Sequence, residues 1–433
     1  MTSALERVIG VRGLAAAIFN ITLGAAIFVL PAHMAGQLGA AAPLAYAVCA
    51  VATGLVALCI AEAGSRVPGS GGPYAYVATA LGEYAGYLCG VLLWLGITLA
   101  MAAVATVLAD ALAGLVPPLR GGVPRAAVLI ALFAGFAVVN VRGAAWGSRL
   151  SAVSTLAKIV PLVAFVALGL PHVQSANLAI ASLPPLGKLG GSGLLLMFAF
   201  FGMESGLQVG GEVRDPARAV PRAIALALAG VGLLYVSVQL VAQGVLGSAL
   251  AAPETATAPL AAVAERFAGP AGARFILLGM AVSTFGFMAA TMLSTPRTLF
   301  ALARDGYLPR PLAAVHPVHH TPYVAVAAQA VIVCGIALSG AYVKLALMSD
   351  VAILLVYLAS CAAAWQLRRK DSGSEGLPFR MPAGAIVPWV GAALIVALLA
   401  RATAQAWLAT GAVVGAASLG FLIRKDGDAG ASP

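Results

Sequence analysis

Charge is the scarcest ingredient of this chain. Asp, Glu, Lys and Arg make up 9% of 433 residues, while 61% are hydrophobic and the mean hydropathy is +0.99. A soluble globular domain carries about 25% charged residues, so an ordinary soluble fold is excluded and a bilayer is the implied solvent. The formal net charge of +10 does not point to nucleic acid, because the basic residues are scattered through short connectors and form no dense or aromatic-interleaved patch. Cysteine is sparse as well. Cys49, Cys59, Cys89, Cys334 and Cys361 all fall in apolar segments without a CxxC pair, and are expected to be reduced packing residues. His172, His316, His319 and His320 fall in connectors and His33 near a helix end, none with metal-ligand spacing. No HExxH, nucleophile with a base, or pair of carboxylates stands at membrane depth, which argues against an intramembrane enzyme. Neither a metal nor a cofactor is expected.

Apolar windows long enough to cross a bilayer are placed at 14–34, 41–63, 84–116, 124–140, 149–170 and 189–211, then at 219–247, 271–300, 321–340, 344–367, 383–401 and 404–423. The first follows Glu6, Arg7 and Arg12 and has no small-residue cleavage site, so it reads as a retained span and not a signal peptide. An all-α integral membrane protein of about twelve spans, forming one transmembrane domain over 1–433, is the expected fold. With the amino terminus on the cytoplasmic side, 17 of the 25 Lys and Arg fall on that side and 7 on the other, leaving Lys158 inside a span. The positive-inside rule then places both termini in the cytoplasm.

Two spans carry interruptions. The sixth runs into Phe201-Gly202-Met203-Glu204, and the first carries Thr22-Leu23-Gly24-Ala25-Ala26 at mid-depth. A carboxylate and a broken backbone are costly against lipid, so the sixth-span break is expected to line a cavity enclosed by protein. Interrupted helices at matching places in two halves point to a transporter site between inverted repeats, although small residues in the first span also suit close packing.

Lys158 lies about ten residues from either end of its window, too far for its stem to snorkel, so it either faces a polar cavity or is held neutral. Glu204 is read either as a group for proton traffic or gating, or as a carboxylate satisfied by the N–H groups that open the second half-helix. Asp110 and Glu62 are expected at the interfaces. Glu212, Arg214, Asp215, Arg218 and Arg222 form a mixed-charge loop, expected either to make an inner gate with Arg66 or Arg304-Asp305 or to anchor helix ends.

Four stretches carry a resemblance to a known family. GAAIFVLP at Gly24 to Pro31 resembles the first-helix GSGIF segment of the amino acid-polyamine-organocation (APC) superfamily, whose fold is LeuT-type. The stretch Pro68 to Gly90 is similar to its first cytoplasmic loop and third helix, FAFFGMES with EVRDPARAVPRAI to its sixth helix and following loop, and RTLFALARDGYLP to the end of its eighth. The resemblance implies five-helix repeats over 14–170 and 189–367, with helices 11 and 12 over 383–423. It implies an amino acid substrate held at the breaks, with Thr22, Gly24, Ala25, Ala26, Phe198, Ala199, Phe201 and Gly202 at the binding site. The N–H groups of Ala25 and Ala26 would hold the carboxylate, the carbonyls of Thr22, Phe198 and Phe201 the ammonium, and Phe198 would gate. The family's usual second Gly is Ala26 here, and its methyl narrows the approach to the backbone. Lys158 matches the fifth-helix lysine that some sodium-independent members place where relatives bind an ion, with the Gly24 region and Ser283 or Thr284 as neighbours.

The implied function is secondary active transport across the cytoplasmic membrane by alternating access, with protons as the coupling partner and neutral amino acids as substrate. A sodium-independent exchanger of amino acids or polyamines, and a transporter-like nutrient sensor, remain the alternatives. Oligomeric state is not readable.

Overall fold

The computed structural model describes residues 10–67, 72–142, 158–202, 213, 215–370 and 378–429, and its elements are helices. Among the described residues, seven helical stretches are long and apolar enough to cross a membrane, accompanied by five shorter apolar helices. Their order is α1 (Val11–Thr22), α2 (Ala26–Leu38), α3 (Ala42–Arg66), α4 (Pro73–Leu81), α5 (Glu83–Leu115), α6 (Gly122–Arg142) and α7 (158–169). There follow α8 (Leu186–Met197), α9 (Pro216–Leu246), α10 (Pro259–Arg304), α11 (Tyr323–Ser339), α12 (Tyr342–Arg369), α13 (Val387–Leu399) and α14 (Ala404–Ala429). Hydrocarbon offers backbone groups no partner, so apolar segments in it must satisfy their own N–H and C=O groups as helices.

The outer surface is apolar. On α3, Leu44, Val48 and Val51 recur at helical spacing and are 55%, 69% and 68% exposed, while Tyr46, Cys49, Val56 and Ile60 on the opposite face are buried. That stripe requires lipid and not water around it. At the centre lies α5, flanked by α10 and α12. Small residues allow the close approach: a Cβ on Gly96 would come within 2.5 Å of Ile353, and Ser349 donates to the Gly96 carbonyl at 2.8 Å.

Three irregularities shape the interior. Residues 23–25 separate α1 from α2, and α8 tightens into a 3-10 turn, Phe198–Phe200, before an extended Phe201 and Gly202 at φ 109°. The long α10 kinks at Gly269, φ 64°, just before Pro270, so it begins well before the predicted window at 271.

Glu62 differs from its expected place. It is fully buried, accepting from Arg66 at 2.9 and 3.2 Å, from Arg368 at 3.2 Å and from the Met381 N–H at 3.0 Å. The segment before α13 folds back over the end of α3, where Phe379 N–H also donates to Ser65, and this cover removes Glu62 from the interface. Asp110 stays partly exposed in a 3.1 Å pair with Arg125.

Candidate functional site

Packing the two breaks against each other leaves a cavity of about 290 Å³. Ile21, Thr22, Gly24, Ala25 and Ala26 line it from the first break, and Phe198, Phe201 and Gly202 from the second. Ile97, Ala100 and Val104 of α5, Phe287 and Thr291 of α10, and Ser349 and Ile353 of α12 close the other sides. Of the residues expected to meet a substrate, Ala199 is the one whose side chain does not reach the cavity.

The first break opens on donors. Gly24 N–H turns back to Thr22 O at 2.8 Å and Phe28 N–H to Ala25 O at 3.0 Å, while the N–H groups of Ala25, Ala26 and Ile27 have no backbone partner among the described residues. The start of α2 therefore presents the free amides and positive dipole end that suit an anion. At the second break Gly202 touches the first, and a Cβ there would come within 2.7 Å of Ile21 Cγ2 and 3.1 Å of the Ile21 carbonyl. Its positive φ and this contact both require glycine.

Tyr235, fully buried on α9, joins the breaks. Its hydroxyl points at Thr22 O and Ala199 O, each 3.0 Å away. With Gly24 N–H on the same oxygen, Thr22 O has both lone pairs engaged, which alters the role expected of it. Sequence reasoning passed over Tyr235, whose only signal is a phenol in the middle of the 219–247 window. Around it the aromatics pack edge to face, with Phe200 at 5.4 Å and Tyr46 at 6.1 Å between ring centroids. Phe198 packs in the same way on Phe201 at 6.1 Å and on Tyr342 at 5.8 Å.

Lys158 lines the cavity, 3% exposed, and its ammonium donates to Asn20 O at 3.2 Å in the last turn of α1. A cation at a helix C-terminus meets the negative end of the helix dipole. Neither expected neighbour on α10 hydrogen-bonds it. Thr284 donates to its own helix at Met280 O and Ala281 O, 2.7 and 3.1 Å away, and the buried Ser283 hydroxyl has no partner. Lys158 is the one ionisable side chain among the described lining residues. Glu204, Met203, Glu212 and Arg214 lie outside the described residues. Of the expected inner gate, Asp215 and Arg218 are 3.9 Å apart and exposed, Arg304 pairs with Asp305 at 3.0 Å, and Arg66 is engaged with Glu62.

A polytopic helical bundle whose broken helices enclose a small, mostly apolar cavity has the architecture of a membrane transporter for small molecules. The sequence matches the family model "Amino acid permease" over residues 9–418. An uncharacterized transporter of Mycobacterium tuberculosis is 32% identical over 411 residues, covering 93% of this chain and 88% of its own. A serine/threonine exchanger of Bacillus subtilis is 27% identical over 387 residues, 86% of each chain, and a methylthioribose transporter of that organism is 29% identical over 410 residues, 89% of this chain and 86% of its own. The chain belongs to the amino acid permease family, of the APC superfamily.

Proposed function

We propose that this permease carries neutral amino acids across the cytoplasmic membrane by alternating access, in symport with protons, with Lys158 standing in place of a coupling sodium ion. Two inverted repeats, 14–170 and 189–367, would rock about the breaks, with helices 11 and 12 over 383–423 outside them and both termini cytoplasmic. The observation that carries the reading is the buried Lys158 ammonium on Asn20 O, at the end of the half-helix that borders the cavity. The amides of Ala25 and Ala26 suit the substrate carboxylate. Its ammonium would compete with Tyr235 for Thr22 O or use the carbonyls of the second break. The cavity, at about 290 Å³, lies at the lower edge of the ~300–1,000 Å³ usual for drug-sized ligands. Its described lining supplies no carboxylate for a cationic side chain, and this favours small or medium neutral amino acids over polyamines.

A second reading is ion-independent exchange, favoured by the similarity to the Bacillus subtilis serine/threonine exchanger. A lysine that never releases its proton would hold α1 in the same way.

Uptake of radiolabelled serine, threonine, alanine, branched-chain amino acids, lysine and methylthioribose into proteoliposomes, with and without an inward proton gradient, tests both. Gradient-driven accumulation that Lys158→Ala abolishes, while exchange of labelled for unlabelled substrate persists, is expected for symport. Uptake that ignores protons and needs internal substrate establishes the exchanger.

A further inference from the structure

Inside α12 lies a carboxyl group that the cavity does not use. Asp350 is fully buried, and among the described residues neither of its oxygens has a hydrogen-bond partner. Ser349, next to it, lines the cavity, so Asp350 projects from a different side of the helix, a turn of about 100° away. Within electrostatic reach of it are Cys49 on α3 and Tyr342 on α12 itself. Tyr46 on α3 and Tyr235 on α9 lie beyond Tyr342, within electrostatic reach of that phenol. The hydroxyls of Tyr46 and Tyr342 are buried without a partner, as the carboxyl is. Among the described residues no Lys, Arg or His from the elements packed on α12 faces Asp350.

Asp350 and Tyr342 near each other, with the Tyr46 hydroxyl beside Tyr342, are costly to leave unbonded, and native interiors leave very few polar atoms in that condition. A carboxylate with neither donor nor counter-charge would be costlier still. Two contacts join the cluster to the transport site. Tyr342 packs edge-on against Phe198, a lining residue, and Tyr46 packs edge-on against Tyr235, which bridges the breaks. A ligand that moves Phe198 or draws on the Tyr235 bridge therefore changes where the two neighbouring phenols can turn.

We propose that Asp350 is a proton-binding group of the transport cycle, neutral in the conformation described and ionised in one where the Tyr342 hydroxyl donates to it. In that step the carboxyl O–H bond breaks, the proton passes to water, and a phenol-to-carboxylate hydrogen bond from Tyr342 takes its place. Protonation from water on the opposite side of the membrane reverses it. The proposal rests on the transporter reading above, but not on Lys158 carrying the proton.

Infrared difference spectroscopy of the reconstituted protein tests this, with L-serine as the probe and native, Asp350→Asn and Asp350→Glu proteins compared. The native protein is expected to show the C=O stretch of a buried protonated carboxyl at neutral pH, absent in Asp350→Asn and weakened when L-serine is added. In proteoliposomes, Asp350→Asn is expected to lose gradient-driven serine accumulation down to the level seen without a gradient. Where Asp350→Asn does not fold, Asp350→Glu is expected to keep the band at a shifted frequency. A native spectrum without a protonated carboxyl, a band that survives Asp350→Asn, or one unmoved by serine that the native protein transports overturns the proposal. Failure of the native protein to transport any compound of the uptake panel overturns the transporter reading instead, and the uptake assay shows that separately.

Discussion

At the scale of single residues, Tyr235 does what no other described side chain does: its one hydroxyl proton serves carbonyls from both broken helices. Replacing it by Phe keeps the ring among Tyr46 and Phe200 and removes only the donor, leaving two buried acceptors one hydrogen bond poorer. Such a loss costs about 1–3 kcal/mol. Tyr235→Phe is expected to lower the melting temperature in detergent and to raise the KM for uptake, and an unchanged value of both would mean that the bridge is idle. The residues around the breaks were legible in the sequence because Gly and a carboxylate in an apolar run are anomalies. Tyr235 was not, because one phenol in a span is usually packing; Asp350 is a carboxylate in the apolar 344–367 run and carried the same signal, but its lack of a partner shows only once its neighbours are known. For Ser283 and Thr284 the sequence could name candidates but not partners: neither hydroxyl hydrogen-bonds Lys158, and Thr284 bonds its own helix.

At the scale of elements, two ion pairs separate a structural charge from a decorative one. Glu62 is enclosed by Arg66, Arg368 and the Met381 N–H, whereas Asp110 and Arg125 are about a third exposed. Removing one member of a buried ion cluster costs about 3–5 kcal/mol, while an exposed pair contributes ~0–1 kcal/mol. Glu62→Gln is therefore expected to lower detergent stability sharply and Asp110→Asn hardly at all, as thermal melting of the two variants side by side would show. Equal losses would contradict the burial argument. Element positions were readable from hydropathy, because a lipid-facing helix needs an unbroken apolar run. The kink at Gly269 and the fold-back of 378–381 over α3 escaped that reading: both lie at the margins of windows, where chain direction depends on tertiary contacts.

At the scale of the whole molecule, the basic residues divide 17 to 7 between the two sets of connectors, which on the proposed orientation sets the end of α10 in the cytoplasm and the α5–α6 turn outside. The natural cysteines give a quiet background for testing this, four of them being buried. Arg120→Cys is expected to react with a membrane-impermeant maleimide on intact cells and Arg310→Cys only after lysis; the reverse pattern would invert the topology. The bridge between the breaks carries one more implication. Apart from the Gly24 N–H on Thr22 O, the carbonyls of Thr22 and Ala199 divide a single phenol proton, so the two breaks meet across a deficit of donors. A primary ammonium brings three N–H groups to that deficit, a singly methylated nitrogen two, and a quaternary nitrogen none. On the proposed reading the permease sorts amines by the number of protons their nitrogen offers, preferring glycine to its N-methyl and N-trimethyl derivatives by a criterion to which the side chain is irrelevant.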